Sequence, residues 1–381
     1  MSTSASLLDR LRSEAFFQEL REAGDRLKKR FVVYLVDHGP LSRSTHKFWW
    51  DHFAEACRIL DIPCWRVPKD SRRWPREHLK HERRGVYLFF TAQSLYHRRP
   101  HLVRAVQPGV IRPDDVVASW DVNVTRSFPD AQTFQIGFRS SLWLAHRVQV
   151  DQRRVVIWEP YAPLSAVRAG LFDELKGMLR WDFVYFGTLN PHNYDHFRAI
   201  LRPLASRYRC RYTGKVWRVF SLEPFRYGFS PLLVSELCGL DDLRRGRVNL
   251  VLHNDYHRQL RSVTERLFIS AALGRPIVCD NVGAWQYFSP AEVPVAEDST
   301  SFLALCAHVL ETLPAREEIA REVQKKTIRQ YTYLHSVVRL LEDIEQRLTP
   351  GSMTDTVVPK NSSTLAAEFP HIGKGVNRWR A

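Results

Sequence analysis

The chain has 381 residues, 44% of them hydrophobic and 12% aromatic, and a formal net charge of +15. This length suits two domains of roughly 150 residues each, and the apolar content excludes wholesale disorder. No apolar run approaches the roughly 18 residues that span a bilayer, and the opening MSTSASLLDRLRSEAFF lacks a secretory signal, so a cytoplasmic protein without a transmembrane segment is expected.

In chain order, Leu7 to Arg30 reads as a charge-rich amphipathic helix leading into FVVYLVDHG, an apolar run closed by Gly39 and Pro40 and read as a buried parallel strand. HKFWWDHFAEACRIL has apolar residues at helical spacing from Phe48 to Leu60, and IPCWRV follows as a second strand. Together these make a β-loop-α-β unit, the building block of doubly wound sheets. GVYLFFT, Gly85 to Thr91, predicts a third strand running into a helix that reaches Val106, and DDVVASWDVN and RRVVIWEPY supply further strands. Pro160 and Pro163 interrupt regular structure and mark a domain boundary.

A second alternating series starts near Trp181. DFVYFGTLN is read as strand, YDHFRAILRPLASRY as helix, CRYTGK as strand, SPLLVSEL as helix and VNLVLHND as strand. TERLFISAALG then reads as helix, RPIVCDN and VPVAED as strands, and Ser301 to Glu311, Ala315 to Gln330 and Leu334 to Arg347 as closing helices. Such alternation fits a second parallel sheet. The expected organisation is an N-terminal helix (1–30), two Rossmann-like α/β domains (31–163 and 164–349) and a polar, Ser/Thr-rich, flexible tail (350–381).

The six cysteines, Cys57, Cys64, Cys210, Cys238, Cys279 and Cys306, form no C-x-x-C pair and have no histidine at zinc spacing. Buried thiols in a reducing compartment are expected. The positive charge predicts an anionic partner: a phosphate-bearing donor, nucleic acid or an acidic membrane face. Basic clusters at Ser71 to Arg84, YHRRPHLVR and DDLRRGR, with Trp74 and Tyr96 among them, suit either a solvated face or a nucleic-acid groove.

The helix that begins near Ser262 to Glu265 follows a strand and a polar loop, so its free amides and positive dipole end suit a phosphate. Arg266 and Lys215 would neutralise a diphosphate there, and Gly187 and Gly214 fall at strand ends where a nucleotide approaches the backbone. His253 and Asn254 close the preceding strand, and Thr264 and Glu265 open the helix. Asp280 closes the next strand. For His253, Asn254, Thr264, Glu265 and Asp280, capping and turn formation compete with donor contact as explanations.

The window from Val248 to Phe288 resembles the CgeB-like group of glycosyltransferases, once called spore maturation proteins. Its pattern Arg-x-Phe-Glu-Ala-x-Ala-x-Gly followed by Pro-x-Ile-x-Asp is matched by Arg266, Phe268, Ala272, Gly274, Pro276 and Asp280. FVYFGTLNPHNYDHF is similar to the group's strand-loop and adds Thr188 and Asn190 to the donor set; the closing helices echo its trailing block. The resemblance implies a GT-B fold, two Rossmann-like domains facing across a cleft, that moves a sugar from a nucleotide-diphosphate donor to an acceptor without a metal or other cofactor. It also implies that Asp37 or His38, at the end of the first strand, serves as the acceptor base if the anomeric centre inverts.

One departure stands out: Ile269 occupies the position of the group's ribose-binding Glu, and Glu265, one turn earlier on nearly the same face, offers a substitute. Two other readings stay open, a degenerate transferase fold kept as a binding module and a transferase acting on modified DNA bases. Trp49 and Trp50 are further candidates, as a platform for an acceptor sugar.

Overall fold

A computed structural model describes residues 3–37, 45–68, 82–89, 111–120, 133–137, 155–172, 179–189, 193–214, 229–231 and 236–349. The chain forms two compact units, Met1–Glu159 with Leu334–Ala381, and Pro160–Tyr333.

The first unit opens with α1 (Thr3–Arg12) and α2 (Ala15–Leu27), where one helix was expected. The Ser13 hydroxyl donates to the Arg10 carbonyl and the Glu14 amide to Leu11, so local bonds end the first helix and turn the chain. Then come β1 (Phe31–Asp37), α3 (Thr45–Ile59), β2 (Cys64–Pro68), β3 (Arg84–Phe89), β4 (Val116–Trp120), β5 (Thr133–Gly137) and β6 (Val155–Ile157). All six strands are parallel, in the order β2-β1-β3-β4-β5-β6. β5 was not foreseen.

Both faces of β1 are buried, as parallel sheets require. Val32, Tyr34 and Val36 share a core with Val67, Tyr87 and Val117, and the rings of Tyr34 and Tyr87 stack 4.7 Å apart. At the opposite end of the sheet, buried Asp115 accepts the amides of Gly85 and Arg112 at 2.7 and 2.8 Å. Trp49 and Trp50 are also interior, 6% and 1% exposed, with Trp49 edge-on to Trp158. Burial removes this pair as a sugar platform.

The last helix corrects the expected boundary at 349. From Leu334 onward the chain belongs to the first unit. The apolar face of this helix, with Val337, Leu341 and Ile344, is buried. Asp343 accepts the Ile157 amide at 2.9 Å, the Ser336 hydroxyl donates to the Glu159 carbonyl, and Glu342 and Glu345 pair with Arg26 and Arg30. Periodicity alone showed the stripe but not which domain it covers.

The second unit runs α4 (Leu164–Leu171), β7 (Trp181–Phe186), α5 (Tyr194–Arg207), β8 (Cys210–Gly214), β9 (Phe229–Pro231), α6 (Glu236–Arg244), β10 (Gly246–Val251), α7 (Asp255–Gln259), α8 (Glu265–Ala272), β11 (Ile277–Cys279), a 3-10 turn (Val282–Gln286), α9 (Ser299–Glu311) and α10 (Leu313–Gln330). α11 (Tyr333–Leu348) returns to the first unit. The strands are again all parallel, ordered β11-β10-β7-β8-β9. Two expectations change here. The helix read over 230–237 is a strand at Phe229–Pro231 and a helix from Glu236, and the strand read at VPVAED is a single bridge from Val295 to Cys279.

On one face of this sheet, Phe183, Tyr185, Tyr212, Val248 and Leu250 pack with Ile200, Leu201 and Leu204 of α5 and Phe302, Cys306 and Val309 of α9. The strand order reverses at β7, whose neighbours are β8 on one side and β10 on the other. Open α/β sheets bind ligands outside the carboxyl ends of their strands at such a reversal. Here the place lies beyond Phe186 and Val251.

Removing a packed leucine from α11 tests its place in the core. Leu341→Ala lowers the unfolding free energy of the first unit by about 3 kcal/mol, through lost transfer energy and a residual cavity. Urea unfolding, followed by hydrogen exchange in β1, measures it; an unchanged midpoint contradicts the packing.

Candidate active site

Three strand ends converge at the reversal. Gly187 follows β7 and Gly214 closes β8, and the Gly187 amide donates to the Thr213 carbonyl at 3.0 Å. A Cβ on Gly214 would lie 1.7 Å from the Gly187 oxygen, and its φ of +148° disfavours any side chain. A Cβ on Gly187 would lie 2.2 Å from Nη1 of Arg266. Gly214 therefore makes room for the Gly187 backbone, and Gly187 for a guanidinium.

That guanidinium is the first cation of α8. Arg266 Nη1 donates to the Tyr185 hydroxyl at 2.9 Å, its Nε to Thr264 Oγ1 at 3.3 Å, and it stands 5.8 Å from the centre of the Tyr185 ring. Burial pushes the Tyr185 phenol up to about 12 despite the nearby Arg266, so it stays protonated. Thr264 is the N-cap residue of α8, yet its hydroxyl holds Arg266 and caps no amide. Thr264, Glu265 and Arg266 all keep partial exposure.

Behind this turn sits Asp280, fully buried. Its carboxylate accepts the His253 amide at 2.9 Å, His253 Nδ1 at 2.7 Å and His196 Nε2 at 2.8 Å. His253 Nε2 then accepts the Thr264 amide at 3.3 Å. With Nδ1 donating and Nε2 accepting, the network assigns His253 as neutral. Burial alone would raise the Asp280 carboxyl, but hydrogen bonds from His196 and His253 outweigh it and hold the group at about 2. Burial pushes His253 below its ordinary range against the pull of Asp280, and burial together with His253 pushes His257 to about 3.

The loop between α7 and α8 is fastened from below. Asn281, also buried, donates to the His257 and Ser262 carbonyls at 3.1 and 2.8 Å and accepts the Gly283 amide at 2.8 Å. Arg261 is held at a φ of +51°, and a Cβ on Gly283 would lie 2.1 Å from its oxygen. His257 Nδ1 meets Ser262 Oγ at 2.8 Å.

Of the residues singled out in the sequence, Gly187, Gly214, His253, Thr264, Glu265, Arg266 and Asp280 lie in or directly behind this turn. Asn254 caps α7 by accepting the His257 amide, and the Thr188 carbonyl accepts from Asn193. Asn190, Lys215 and His38 lie outside the described residues. Asp37 ends β1, next to the reversal in the first sheet, where β1 lies between β2 and β3. Tyr185 and His196 escaped the sequence reading. Tyr185 looked like one more apolar strand residue, and nothing in the spacing tied His196 to Asp280.

Among the described residues, one group has the types that ligate a metal: His253, Cys279 and Asp280. Asp280 is engaged by both imidazoles, and burial, followed by Asp280, raises the Cys279 thiol well above its ordinary value. The group therefore reads as a hydrogen-bonded support. Of the cysteines, Cys57, Cys279 and Cys306 are buried as expected, whereas Cys64 and Cys210 are partly exposed.

Residues 195–342 match the family described as glycosyl transferase-like. This stretch of the second unit and of α11 is glycosyl transferase-like. No curated protein matches the chain. Among solved structures it is similar to AviGT4, a glycosyltransferase involved in avilamycin A biosynthesis, at 15% identity over 83% of this chain and 97% of that one, with a TM-score of 0.55. It is also similar to the catalytic domain of starch synthase IV from Arabidopsis thaliana, bound to ADP and acarbose, at 9% identity over 84% and 99% of the two chains and a TM-score of 0.53. A Thermobaculum terrenum O-GlcNAc transferase is a third, at 15% identity over 84% and 68% and a TM-score of 0.50. These likenesses place the transferase domain in a GT-B fold.

The neutral histidines give this domain an acid liability. His253 and His257 take up protons near the ordinary value of 6.5 when unfolded but resist them when folded, and Asp280 is likewise depressed from 3.8. The unfolded state therefore binds more protons, and stability falls as pH drops from about 6.5 towards about 3. Between about pH 8 and pH 5 the loss from His257 alone is roughly 2 kcal/mol. Denaturant unfolding at several pH values measures it; a profile that is flat or rises towards acid contradicts the assignment.

Proposed function

We infer that the second unit holds a nucleotide-diphosphate sugar at the first turn of α8 and that the protein transfers the sugar to an acceptor. The observation that carries this reading is Arg266, a partly exposed guanidinium fixed by Tyr185 and Thr264 at the open start of a helix, beyond the strand reversal. The amides of Glu265 and Arg266 open the helix, where residues four back are not helical, so they suit a phosphate oxygen. Together with the cation they would take up charge as the diphosphate departs. No bound cation is required for that step.

Glu265 is assigned to the donor's ribose hydroxyls, in place of the residue that Ile269 displaces. Thr188, Asn190, Gly214 and Lys215, at or beyond the same strand ends, complete the donor set. The acceptor base falls to Asp37 or His38 at the carboxyl end of β1. Within the GT-B transferases, the motif from Arg266 to Asp280 supports the CgeB-like group. The same reading sets the protein in the cytoplasm. Its charge of +15 favours an acceptor or docking surface that is anionic, nucleic acid or acidic lipid.

Titration calorimetry with uridine, guanosine and adenosine diphosphates and their sugars tests the donor site. Arg266→Ala weakens the binding nucleotide by about 100-fold, the scale of a charge-assisted contact to phosphate. A folded native protein that binds none of them contradicts the reading.

A second reading, a binding module without catalysis, draws on Ile269. It predicts nucleotide-sugar binding with no hydrolysis or transfer. Returning a carboxylate to that position does not decide the matter, because Ile269 is 2% exposed in α8. Ile269→Glu buries an unpaired charge and costs about 3 kcal/mol or more, visible as a lower unfolding midpoint. A variant as stable as the native protein contradicts that burial.

A further inference from the structure

Asp280 and the two imidazoles that meet on it form a cluster to which the donor reading gives no role. None of the three groups is needed to contact a donor. Asp280 and His253 have no exposed surface, and the His196 side chain is 14% exposed. They come from separate places in the fold: the end of β11, the segment after β10, and the first turn of α5.

The directions of the bonds suggest what the cluster does. A carboxylate without solvent must be paired, and this one orients His253 through both its backbone amide and its Nδ1. An imidazole whose Nδ1–H is committed to a carboxylate presents a bare Nε2 on the far side of its ring, in this case to the Thr264 amide. His196 holds the other carboxylate oxygen and ties the start of α5 to the same point. Thr264 in turn holds Arg266 through its hydroxyl. A path of hydrogen bonds therefore leads from a buried charge to the guanidinium at the open turn.

We propose that His253 is a positioning residue: seated between Asp280 and the Thr264 amide, it sets the first turn of α8 and through Thr264 aims Arg266 at the diphosphate. The Thr264 amide is thereby withdrawn from the ligand. The gain is preorganisation, since a turn already fixed loses less freedom when the anion arrives. The aiming of Arg266 rests on the donor reading above, but the fastening of the turn does not.

Three measurements test this. Long-range ¹⁵N–¹H spectra of the native protein report the tautomer of His253, expected as Nδ1–H with bare Nε2 across about pH 6 to 8. Amide hydrogen exchange at Thr264 is compared among the native protein, His253→Ala and His253→Gln; glutamine can donate to Asp280 with its nitrogen and accept from Thr264 with its oxygen. Thr264 is expected to exchange at least about tenfold faster in the alanine variant and to recover most of its protection in the glutamine variant. Pyrophosphate, used as the probe, is expected to bind about tenfold more weakly to the alanine variant and within about threefold of native to the glutamine variant.

An Nε2–H tautomer, or equal Thr264 exchange in the two variants, overturns the proposal. Should the alanine variant not fold, the native tautomer and the contrast between native and glutamine proteins carry the decision. If native protein binds no pyrophosphate while Thr264 behaves as stated, the donor reading falls and the fastening of the turn stands.

Discussion

A carboxylate cannot be left alone in a protein interior, and the ends of three strands in the second unit are arranged around that constraint. Asp280 is charged and has no contact with solvent. Its charge is sustained by hydrogen bonds from His253, which the network assigns as neutral, and from His196. Once Asp280 is fixed, His253 has one orientation, and once His253 is fixed, so is the start of α8. The sheet reversal provides the place, and Asp280 provides the rigidity.

The glycines extend the same logic. Gly187 and Gly214 are set against one another and against Arg266, with no room for a Cβ on either. Asn281 and Gly283 do the corresponding work below the loop, where Arg261 is forced to a positive φ. A left-handed arginine costs of order 1 kcal/mol or more, which the surrounding bonds offset. Much of the sequence motif in this region proves to be packing. Phe268 lies among the rings of Tyr161, Tyr287 and Tyr331, Gly274 takes the left-handed position after α8, and the Ala272 carbonyl fills the space that a Cβ on Gly170 would need. Arg266 and Asp280 are the polar remainder.

The parallel sheets were legible because apolar runs such as FVVYLVD and VNLVL alternate with helical stripes at the lengths that crossovers need. The start of α8 before Arg266 was legible too, since a strand, a polar loop and an amphipathic helix follow one another there. Harder to see was anything that depends on long-range pairing. α11 carries a helical stripe, yet nothing in that stripe says that it covers the first unit. His196 and Asp280 are far apart in sequence, and their contact exists only because α5 begins, after β7, on the side of the sheet where β11 ends. Trp49 and Trp50 failed as surface candidates because adjacent helical positions can both face inward where the buried stripe is broad, here with Phe53, Ala56 and Cys57. Tyr185 was hidden in a strand whose other residues are core, and only its hydroxyl distinguishes it.

The central claim is that a diphosphate sits on the first turn of α8, against Arg266. Crystals soaked with a nucleoside diphosphate test it most directly. The account predicts phosphate density within hydrogen-bond reach of the Arg266 guanidinium and the amides of Glu265 and Arg266, with the Thr264 amide still donating to His253. Density for the nucleotide elsewhere in the second unit, with this turn unoccupied at saturating ligand, would contradict it.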